Sequence, residues 1–173
     1  MQMGRAKRIA ELAEAVGRAL LARRMSLATA ESCTAGGVAF AVTQVPGSSQ
    51  WFDRGFVTYS NAAKRQVLGV SATDLRLHGA VSEPVARAMA RGALVASDAQ
   101  IALGITGIAG PGGGSSDKPV GLVCFSWALR RAGELRLHTE SRRLGGDRAA
   151  VRTQAIIVAL EGVLQMLAEN TDV

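Results

Sequence analysis

One short segment of the chain is apolar on both faces, and it restricts the fold more than any other feature. The run Ile101-Ala102-Leu103-Gly104-Ile105 is typical of a β-strand without a polar side, which is expected where both surfaces of a sheet are covered. Apolar residues recur at helical spacing over residues 6–24 and 147–169, which predicts two helices that can cover the sheet. Strands and helices alternate along the chain. This order predicts an α/β protein, a three-layer α/β/α sandwich with a mixed, mostly parallel sheet of about five strands.

The remaining elements are predicted from local signals between these segments. Strands are predicted over residues 26–30, 55–59, 121–129 and 134–139, of which the last two form a hairpin. One helix is predicted from Ser32 or Cys33 toward Pro46, and a second over residues 62–68 with Asn61 as its N-cap. A third helix is predicted from Ser82 to about Ser97, and a polar connection at residues 73–78 precedes it. Because neither a repeat nor a linker interrupts this order, residues 1–173 are predicted to form one domain.

The charge of the chain favours anionic ligands without choosing among them. Lysine and arginine number 20 against 14 aspartate and glutamate, an excess that a general arginine bias explains as well as a binding site does. Aromatic residues make up only 4% of the chain, so nucleic-acid binding through stacked bases is not favoured. Without a run of 18 apolar residues, we expect a cytoplasmic protein with no membrane association. Its two cysteines predict reduced thiols and no zinc site.

Ser32 is the candidate nucleophile because it lies where a strand is predicted to meet a helix. The small residues that follow, including Thr34 and Gly36, leave backbone N–H groups accessible, as an oxyanion hole requires. A plain helix N-cap explains the same serine without any chemistry. Cys33 is a further candidate, since a thiol at a helix N-terminus can have a lowered pKa and act as a nucleophile.

A general base for Ser32 is harder to identify from the sequence. The two histidines, His78 in a polar connection and His138 in a hairpin strand, have no evident link to Ser32. Lys64 is the alternative base, since it is predicted in the first turn of a helix, where the helix dipole disfavours the ammonium form. An ordinary solvated lysine is the competing interpretation.

A glycine-rich loop and an arginine are the candidates for binding an anion. Residues 106–119 combine several glycines with serines and can present N–H and hydroxyl groups to a phosphate, although a flexible surface loop explains them too. The loop lacks the P-loop order, and the strand predicted after Pro119 excludes a Walker or Rossmann phosphate site. Arg148 lies in the first turn of the last helix, where the dipole disfavours a cation, so it is predicted to meet an anion.

Six blocks of sequence, in order and at their separations, resemble the CinA C-terminal-domain family, the PncC-type nicotinamide-nucleotide amidohydrolases. The blocks are Ala-Glu-Ser-Cys-Thr-Ala-Gly-Gly at 30–37, Val-Pro-Gly-Ser-Ser at 45–49, Gly-Phe-Val-Thr-Tyr-Ser-Asn-Ala-Ala-Lys at 55–64, His-Gly-Ala-Val-Ser at 78–82, Thr-Gly-Ile-Ala-Gly-Pro at 106–111 and Gly-Asp-Arg at 146–148. Each block alone is weak evidence for the family, whereas the six together cover nearly the whole chain and are specific for it.

The resemblance implies a three-layer α/β/α fold and hydrolysis of nicotinamide mononucleotide to nicotinate mononucleotide and ammonia, in pyridine-nucleotide salvage and without a metal or other cofactor. Ser32 is then the nucleophile and Lys64 its base, while Tyr59 belongs to the catalytic group and Asn61 contacts the substrate. The other implied contacts to this phosphorylated pyridine nucleotide are Cys33, Thr34, Gly36, Thr106, Gly107, Ile108, Ala109, Gly110 and Arg148. Family members are commonly dimers, so a homodimer or a higher homo-oligomer is expected.

Two departures from the family pattern and two rival functions accompany this resemblance. Members often carry an acidic residue just after the Gly-Pro pair, where this chain has Gly112, so no carboxylate role is assigned there. Some members also carry a large preceding domain that this sequence lacks.

The rival functions are a non-catalytic nucleotide-binding or regulatory module and a basic nucleic-acid-binding protein. The first predicts no ammonia release, and the second predicts DNA affinity that falls steeply with salt.

Overall fold

The computed structural model describes residues 2–169 and confirms the predicted α/β class. Met1 and residues 170–173, the ends of the predicted domain, lie outside the described residues. In chain order the elements are α1 (Gln2–Arg23), β1 (Leu27–Glu31), α2 (Gly37–Thr43), a short 3-10 helix (Ser48–Gln50), β2 (Phe52–Val57), α3 (Asn61–Leu68), α4 (Ala72–His78), α5 (Glu83–Val95), β3 (Ile101–Gly107), β4 (Leu122–Arg131), β5 (Glu134–Arg143) and α6 (Arg148–Glu169).

The five strands form one open sheet in the order β2-β1-β3-β4-β5. β1 pairs in parallel with both β2 and β3, whereas β4 runs antiparallel to β3 and β5. Four strands therefore point in one direction and β4 in the other, as the mixed, mostly parallel sheet predicted from the sequence requires. The carboxyl ends of β1, β2 and β3 meet at one edge of the sheet. Ligands bind at this edge in open α/β sheets.

Helices cover both faces of the sheet, and the two halves of the core differ in side-chain size. On one face, α1, α2 and α6 pack against large residues such as Leu103, Phe125 and Trp127. On the other face, α3 and α5 pack against small residues such as Ala102 and Ala128. The apolar strand β3 is buried on both sides because it lies at the centre of this sandwich.

Among the described residues, α6 is the one helix long and apolar enough to cross a membrane by length and composition. Half of its most apolar stretch is buried inside the protein. Its buried side chains include Val151, Leu160 and Val163, which belong to the same core cluster as Trp127. The buried face of α6 is therefore part of the hydrophobic core.

Gly104 of β3 is the point at which α5 comes closest to the sheet. A Cβ atom added there would collide with the Ala86 carbonyl oxygen and lie 2.8 Å from the Ala90 nitrogen. Neither backbone atom can move without shifting the helix, so we expect Gly104→Ala to lower the free energy of unfolding by about 3 kcal/mol or more. Thermal unfolding should show a Tm lower by about 10 °C.

Gly145→Ala is the matched control for this substitution. A Cβ at Gly145 meets no atom within 4 Å, and the residue needs no left-handed backbone angle. Its Tm should stay within about 2 °C of the parent. Equal Tm values for the two variants would contradict the close approach of α5 to β3.

Three local predictions are wrong. The helix after β1 begins at Gly37 and not at Ser32 or Cys33, because Ala35 (φ +50°) and Gly36 (φ +84°) both adopt left-handed angles that a right-handed helix excludes. Asn61 is not the N-cap of α3, since the Ser60 hydroxyl accepts the Ala63 N–H at 3.0 Å.

The third wrong prediction is the polar connection at residues 73–78. This stretch is helical and forms α4, with His78 as its last residue. The Ser71 hydroxyl caps the helix by accepting the Asp74 N–H at 3.0 Å. Such a short helix has no buried residue, so apolar periodicity could not reveal it.

Candidate active site

The polar residues that follow three neighbouring strands meet at the carboxyl edge of the sheet. Ser32 follows β1, and its N–H donates to the Ile105 carbonyl of β3 at 2.9 Å. Thr58 follows β2, and its N–H donates to the Glu31 carbonyl at the end of β1 at 2.9 Å. These bonds continue the parallel pairing by one residue. They therefore fix the peptide group between Glu31 and Ser32 between β2 and β3.

Lys64 and Ser32 are in direct contact although 32 positions separate them in the chain. The Lys64 Nζ atom lies 2.9 Å from the Ser32 Oγ atom, to which it donates a hydrogen bond. Nζ also donates to the Thr58 carbonyl at 2.7 Å. Lys64 is 1% exposed and Ser32 is 9% exposed. The structure thus brings together the two residues that the sequence predicts as nucleophile and base.

Burial changes the acid–base properties of Lys64. Desolvation lowers the pKa of its amine from the ordinary value of 10.5, because an ammonium group removed from water is disfavoured. A thiolate at Cys33 would oppose this effect. Over residues 2–169, the ion pairs of the protein do not include Lys64. Because no carboxylate stabilises the ammonium form, the Lys64 amine loses its proton at a pH nearer to the physiological range.

Cys33 is a poor nucleophile in this setting. It is 5% exposed, and burial raises the pKa of its thiol to about 12, with the nearby Glu31 charge acting in the same direction. The thiolate, which is the reactive form, is therefore scarce at neutral pH. The neutral thiol also leaves the pKa of Lys64 lowered. The structure thus disfavours the alternative in which Cys33 attacks a substrate.

The turn at residues 32–36 is held at its carboxyl end by Glu31, a residue not predicted from the sequence to belong to the site. The buried Glu31 carboxylate accepts the N–H groups of Val38 at 3.0 Å and Ala39 at 2.9 Å, in the first turn of α2. These two N–H groups at the N-terminus of α2 are therefore occupied, whereas the predicted donors lie in the turn before the helix. A carboxylate that ends an apolar strand and precedes a helix was the available signal.

Donors for an oxyanion must then come from the turn itself. In the described part of the chain, the N–H groups of Cys33, Thr34 and Gly36 make no backbone hydrogen bond. The Thr34 carbonyl accepts a bond from Arg152 Nη2 at 2.9 Å, which ties the turn to α6. The turn thus has a fixed backbone and spare donors beside Ser32.

The Ser32–Lys64 pair opens into a cavity of about 230 Å³ at the sheet edge. Nine of the predicted site residues line it, together with Ala80 and Val81: Ser32, Cys33, Tyr59, Asn61, Lys64, Thr106, Gly107, Ala109 and Arg148. Four predicted residues lie outside this lining: Thr34, Gly36, Ile108 and Gly110. Ala80 and Val81 belong to the 78–82 block, and the Thr106 hydroxyl holds that segment by donating to the Ala80 carbonyl at 2.8 Å.

Arg148 forms one side of this cavity. Its guanidinium donates to the Gly110 carbonyl and to the Tyr59 hydroxyl, both at 2.9 Å. Asp147 caps α6 by accepting the Ala150 N–H at 2.8 Å, which places Arg148 as the first residue of the helix. The lining of the cavity contains the Arg148 guanidinium and no carboxylate. This electrostatic setting suits an anionic ligand.

A larger groove, of about 600 Å³, lies between α3, α4 and α5. It is lined by small and apolar residues with Arg87, Arg91 and Asp74 at its margin, and neither Ser32 nor Lys64 reaches it. Over residues 2–169, the histidine, cysteine, aspartate and glutamate side chains form no group of three that could hold a metal ion. The reactive pair therefore identifies the smaller cavity as the candidate active site.

Fold and site together define a class of protein: a three-layer α/β domain with a buried serine–lysine pair at the sheet edge and an arginine beside it. The family model described as the CinA C-terminal domain matches residues 9–167, and the chain belongs to this family. The family resemblance read from the six sequence blocks is therefore confirmed.

Relatives with this domain support the same assignment. The chain is 52% identical over 161 residues to the nicotinamide-nucleotide amidohydrolase PncC of Escherichia coli K12, covering 93% of this chain and 96% of that one. It is 49% identical to the protein of the same name from Pseudomonas putida, covering 91% and 96%. A putative competence-damage inducible protein of Symbiobacterium thermophilum is 54% identical, but the match spans 90% of this chain and only 38% of that longer protein.

Solved structures of the family share the fold. A competence/damage-inducible protein from Agrobacterium tumefaciens superposes with a TM-score of 0.86 at 45% identity, covering 93% of this chain and 96% of the other. A competence damage-inducible protein from Klebsiella pneumoniae gives 0.88 at 39% identity, covering 94% and 99%.

Proposed function

We propose that the chain hydrolyses the carboxamide of nicotinamide mononucleotide to nicotinate mononucleotide and ammonia, with Ser32 as nucleophile and Lys64 as general base. The 2.9 Å contact between Lys64 Nζ and Ser32 Oγ in a buried site carries the mechanism. The names of the PncC relatives, about half of whose residues are identical over most of the chain, support the substrate class. A cytoplasmic role in pyridine-nucleotide salvage and one domain over residues 1–173 belong to the same proposal.

The first half of the reaction forms an acyl-enzyme. The neutral Lys64 amine keeps one N–H on the Thr58 carbonyl and turns its lone pair to the Ser32 hydroxyl, whose proton it accepts. Ser32 Oγ then attacks the carboxamide carbon, and spare N–H groups of the turn, those of Cys33 and Thr34, donate to the developing oxyanion. Lys64 returns the proton to the amide nitrogen. The C–N bond breaks and ammonia leaves.

The second half restores the enzyme. Water enters the cavity, gives a proton to Lys64 and attacks the acyl carbon. The ester C–O bond breaks, the acid is released, and Lys64 returns the proton to Ser32. Each cycle thus consumes one water and releases one ammonia, with no net change in the protein.

The lining of the cavity suits the nucleotide part of the substrate. In this proposal Arg148 binds the phosphate, and Tyr59 and Asn61 orient the ribose and ring; all three residues line the cavity. In the same proposal Thr106, Gly107 and Ala109, which line the cavity, complete the contact with the nucleotide. Binding energy from the phosphate is used to position the amide against Ser32.

Arg148→Gln should raise the KM for nicotinamide mononucleotide by about 30-fold, with a smaller change in kcat. The physical reason is the loss of a charge-assisted, bidentate contact to a phosphate. Steady-state kinetics with nicotinamide riboside, which lacks the phosphate, provide the internal control: its kcat/KM should be nearly the same in both enzymes. The matched surface variant is Arg143→Gln, which should leave both KM values unchanged. An equal loss for both substrates would show that Arg148 does not bind the phosphate.

The experiment that tests the function itself measures products. Purified protein incubated with nicotinamide mononucleotide should release ammonia and nicotinate mononucleotide in a one-to-one ratio. Binding of the nucleotide without ammonia release would instead favour a non-catalytic nucleotide-binding module. Release of nicotinamide in place of ammonia would place the cut at the glycosidic bond and overturn the proposal.

A further inference from the structure

Arg152 of α6 is half-buried next to the turn that carries Ser32, yet it does not line the candidate active site. Its Nη2 atom donates to the Thr34 carbonyl at 2.9 Å. Its Nε atom is buried and has no hydrogen-bond partner among residues 2–169. The ion pairs within the same range do not include Arg152. The guanidinium therefore directs a positive charge, with no carboxylate bound to it, at the turn.

Two peptide groups connect this guanidinium to a donor beside the nucleophile. The Thr34 carbonyl, which accepts the bond from Arg152, shares a peptide group with the Ala35 N–H. That N–H donates to the Ser32 carbonyl at 3.0 Å. The Ser32 carbonyl shares its own peptide group with the Cys33 N–H, which makes no backbone hydrogen bond in the described part of the chain. A hydrogen-bonded chain thus runs from Arg152 to the Cys33 N–H.

The direction of this hydrogen-bonded chain strengthens its last donor. A positive charge at a carbonyl oxygen draws electron density from the peptide group, so the N–H of that group becomes a stronger donor to the next carbonyl. The Gly37 N–H donates to the same Thr34 carbonyl at 3.1 Å and acts in the same sense. In the proposed mechanism the Cys33 N–H donates to the oxyanion. The charge of Arg152 therefore increases the stabilisation that this N–H provides.

The Cys33 thiol shows that charges on both sides of the turn act at residue 33. Burial raises the pKa of this thiol to about 12, the Glu31 carboxylate acts in the same direction, and Arg152 acts in the opposite direction. The buried negative charge of Glu31 also disfavours a second negative charge on a nearby substrate oxygen. Arg152 is thus the positive group that opposes Glu31 at this position.

We propose that Arg152 is a positioning residue for oxyanion stabilisation, acting through the Thr34 and Ser32 peptide groups on the Cys33 N–H. This role rests on the proposed amidohydrolase function and adds to it a residue outside the cavity. Arg152 neither lines the cavity nor bonds to the side chains of Ser32 or Lys64. Its contribution therefore arises as negative charge develops on the amide oxygen, and it affects kcat more than substrate binding.

Arg152→Gln should lower kcat by about 20-fold and change the KM for nicotinamide mononucleotide by less than about twofold. Glutamine retains a neutral N–H donor for the Thr34 carbonyl but has no charge. Arg152→Lys retains the charge and should lower kcat by less than about fivefold. Arg18→Gln, at an arginine whose side chain is 71% exposed, is the matched control and should be fully active. Steady-state ammonia release gives both constants.

A thioamide substrate separates this electrostatic role from a purely structural one. In thionicotinamide mononucleotide the negative charge develops on sulfur, which is a weak hydrogen-bond acceptor. Attack by Ser32 and release of ammonia follow the same course as with the amide. Arg152→Gln should therefore lower kcat for the thioamide by less than about fivefold. A substitution that merely displaced Ser32 would slow both substrates equally.

A backbone change tests the hydrogen-bonded chain without altering Arg152. Replacement of Ala35 by lactic acid, through nonsense suppression, exchanges the Ala35 N–H for an ester oxygen and keeps the methyl side chain. It removes the bond to the Ser32 carbonyl and should lower kcat by about tenfold at an unchanged KM. This variant also decides the proposal if far-UV circular dichroism shows that Arg152→Gln does not fold.

Four results would overturn the role of Arg152: an Arg152→Gln enzyme with the parental kcat, equal losses for amide and thioamide, an Arg152→Lys enzyme as slow as Arg152→Gln, or full activity after the change at Ala35. Each of these is measured against a wild type that releases ammonia. A wild type that releases none contradicts the proposed function itself, so the two failures are distinguishable.

Discussion

Replacement of Ser32 by alanine is expected to lower kcat by at least about 10⁴-fold and to leave nucleotide binding intact. In the proposed mechanism the Ser32 Oγ atom attacks the carboxamide, and it lies 2.9 Å from Lys64 Nζ. Removing it leaves a small space in a site whose backbone is held by Ile105 and Glu31, so the fold should persist. Ammonia release gives kcat, and calorimetry with nicotinamide mononucleotide gives the affinity.

Cys33→Ser is the matched control for this prediction. It changes the neighbouring residue by one atom, and the thiol whose pKa is raised to about 12 is not expected to react. Activity should therefore fall by less than about tenfold. Ammonia production by Ser32→Ala at the parental rate would reject the serine mechanism, and loss of activity in Cys33→Ser alone would point to the thiol.

Replacement of Lys64 by methionine is expected to lower kcat/KM by about 10³-fold or more, because Ser32 loses its base. Lys64→Arg should be equally inactive, since a guanidinium keeps the charge but does not release a proton near neutral pH. The arginine variant thus separates general-base catalysis from a merely electrostatic role. Lys7→Met, at a lysine whose side chain is 80% exposed, is the control and should be fully active.

The lowered pKa of Lys64 gives this prediction a pH dependence with a defined sign. Activity should rise with pH as the ammonium form loses its proton, through a pKa below 10.5. Between that pKa and 10.5 the unfolded chain binds the extra proton and the folded chain does not, so the free energy of unfolding also rises with pH in that interval. Lys64→Met should lack both effects. An unchanged pH–rate profile in this variant would show that another group titrates.

Several parts of the fold were predictable because local sequence and tertiary environment agree. The apolar run at residues 101–105 predicted a strand covered on both faces, and β3 is buried along nearly its whole length. The hairpin and the long helix α6 were also predicted, although β5 extends four residues beyond its predicted end at Thr139. In each case a long periodic pattern carried the information.

Shorter features depended on geometry that neighbouring residues do not encode. Ser60 and Asn61 are both good N-caps, and the end of β2 at Val57 decides between them. The start of α2 depends on the backbone angles of Ala35 and Gly36. Alanine at a positive φ is uncommon, so its preference for helices pointed to the wrong boundary.

The candidate site was predictable in its residue types but not in its electrostatics. The strand–helix junction suggested Ser32, and helix position suggested Lys64. The sequence could not show that Lys64 reaches the Thr58 carbonyl and is almost completely buried. The role of Glu31 depends on the folded position of α2, because its carboxylate accepts the N–H groups of Val38 and Ala39 in that helix.

The residues proposed for bond-breaking and those proposed for substrate recognition are held by separate parts of this fold. Ser32 is carried by a buried turn that is tied to β3 and to α2 through Glu31. Tyr59 and Arg148 are held instead by contacts with each other and with the Gly110 carbonyl at the mouth of the cavity. In the proposed mechanism, substitutions in the loop after β3 would therefore alter the position of Arg148 and leave the Ser32–Lys64 contact unchanged.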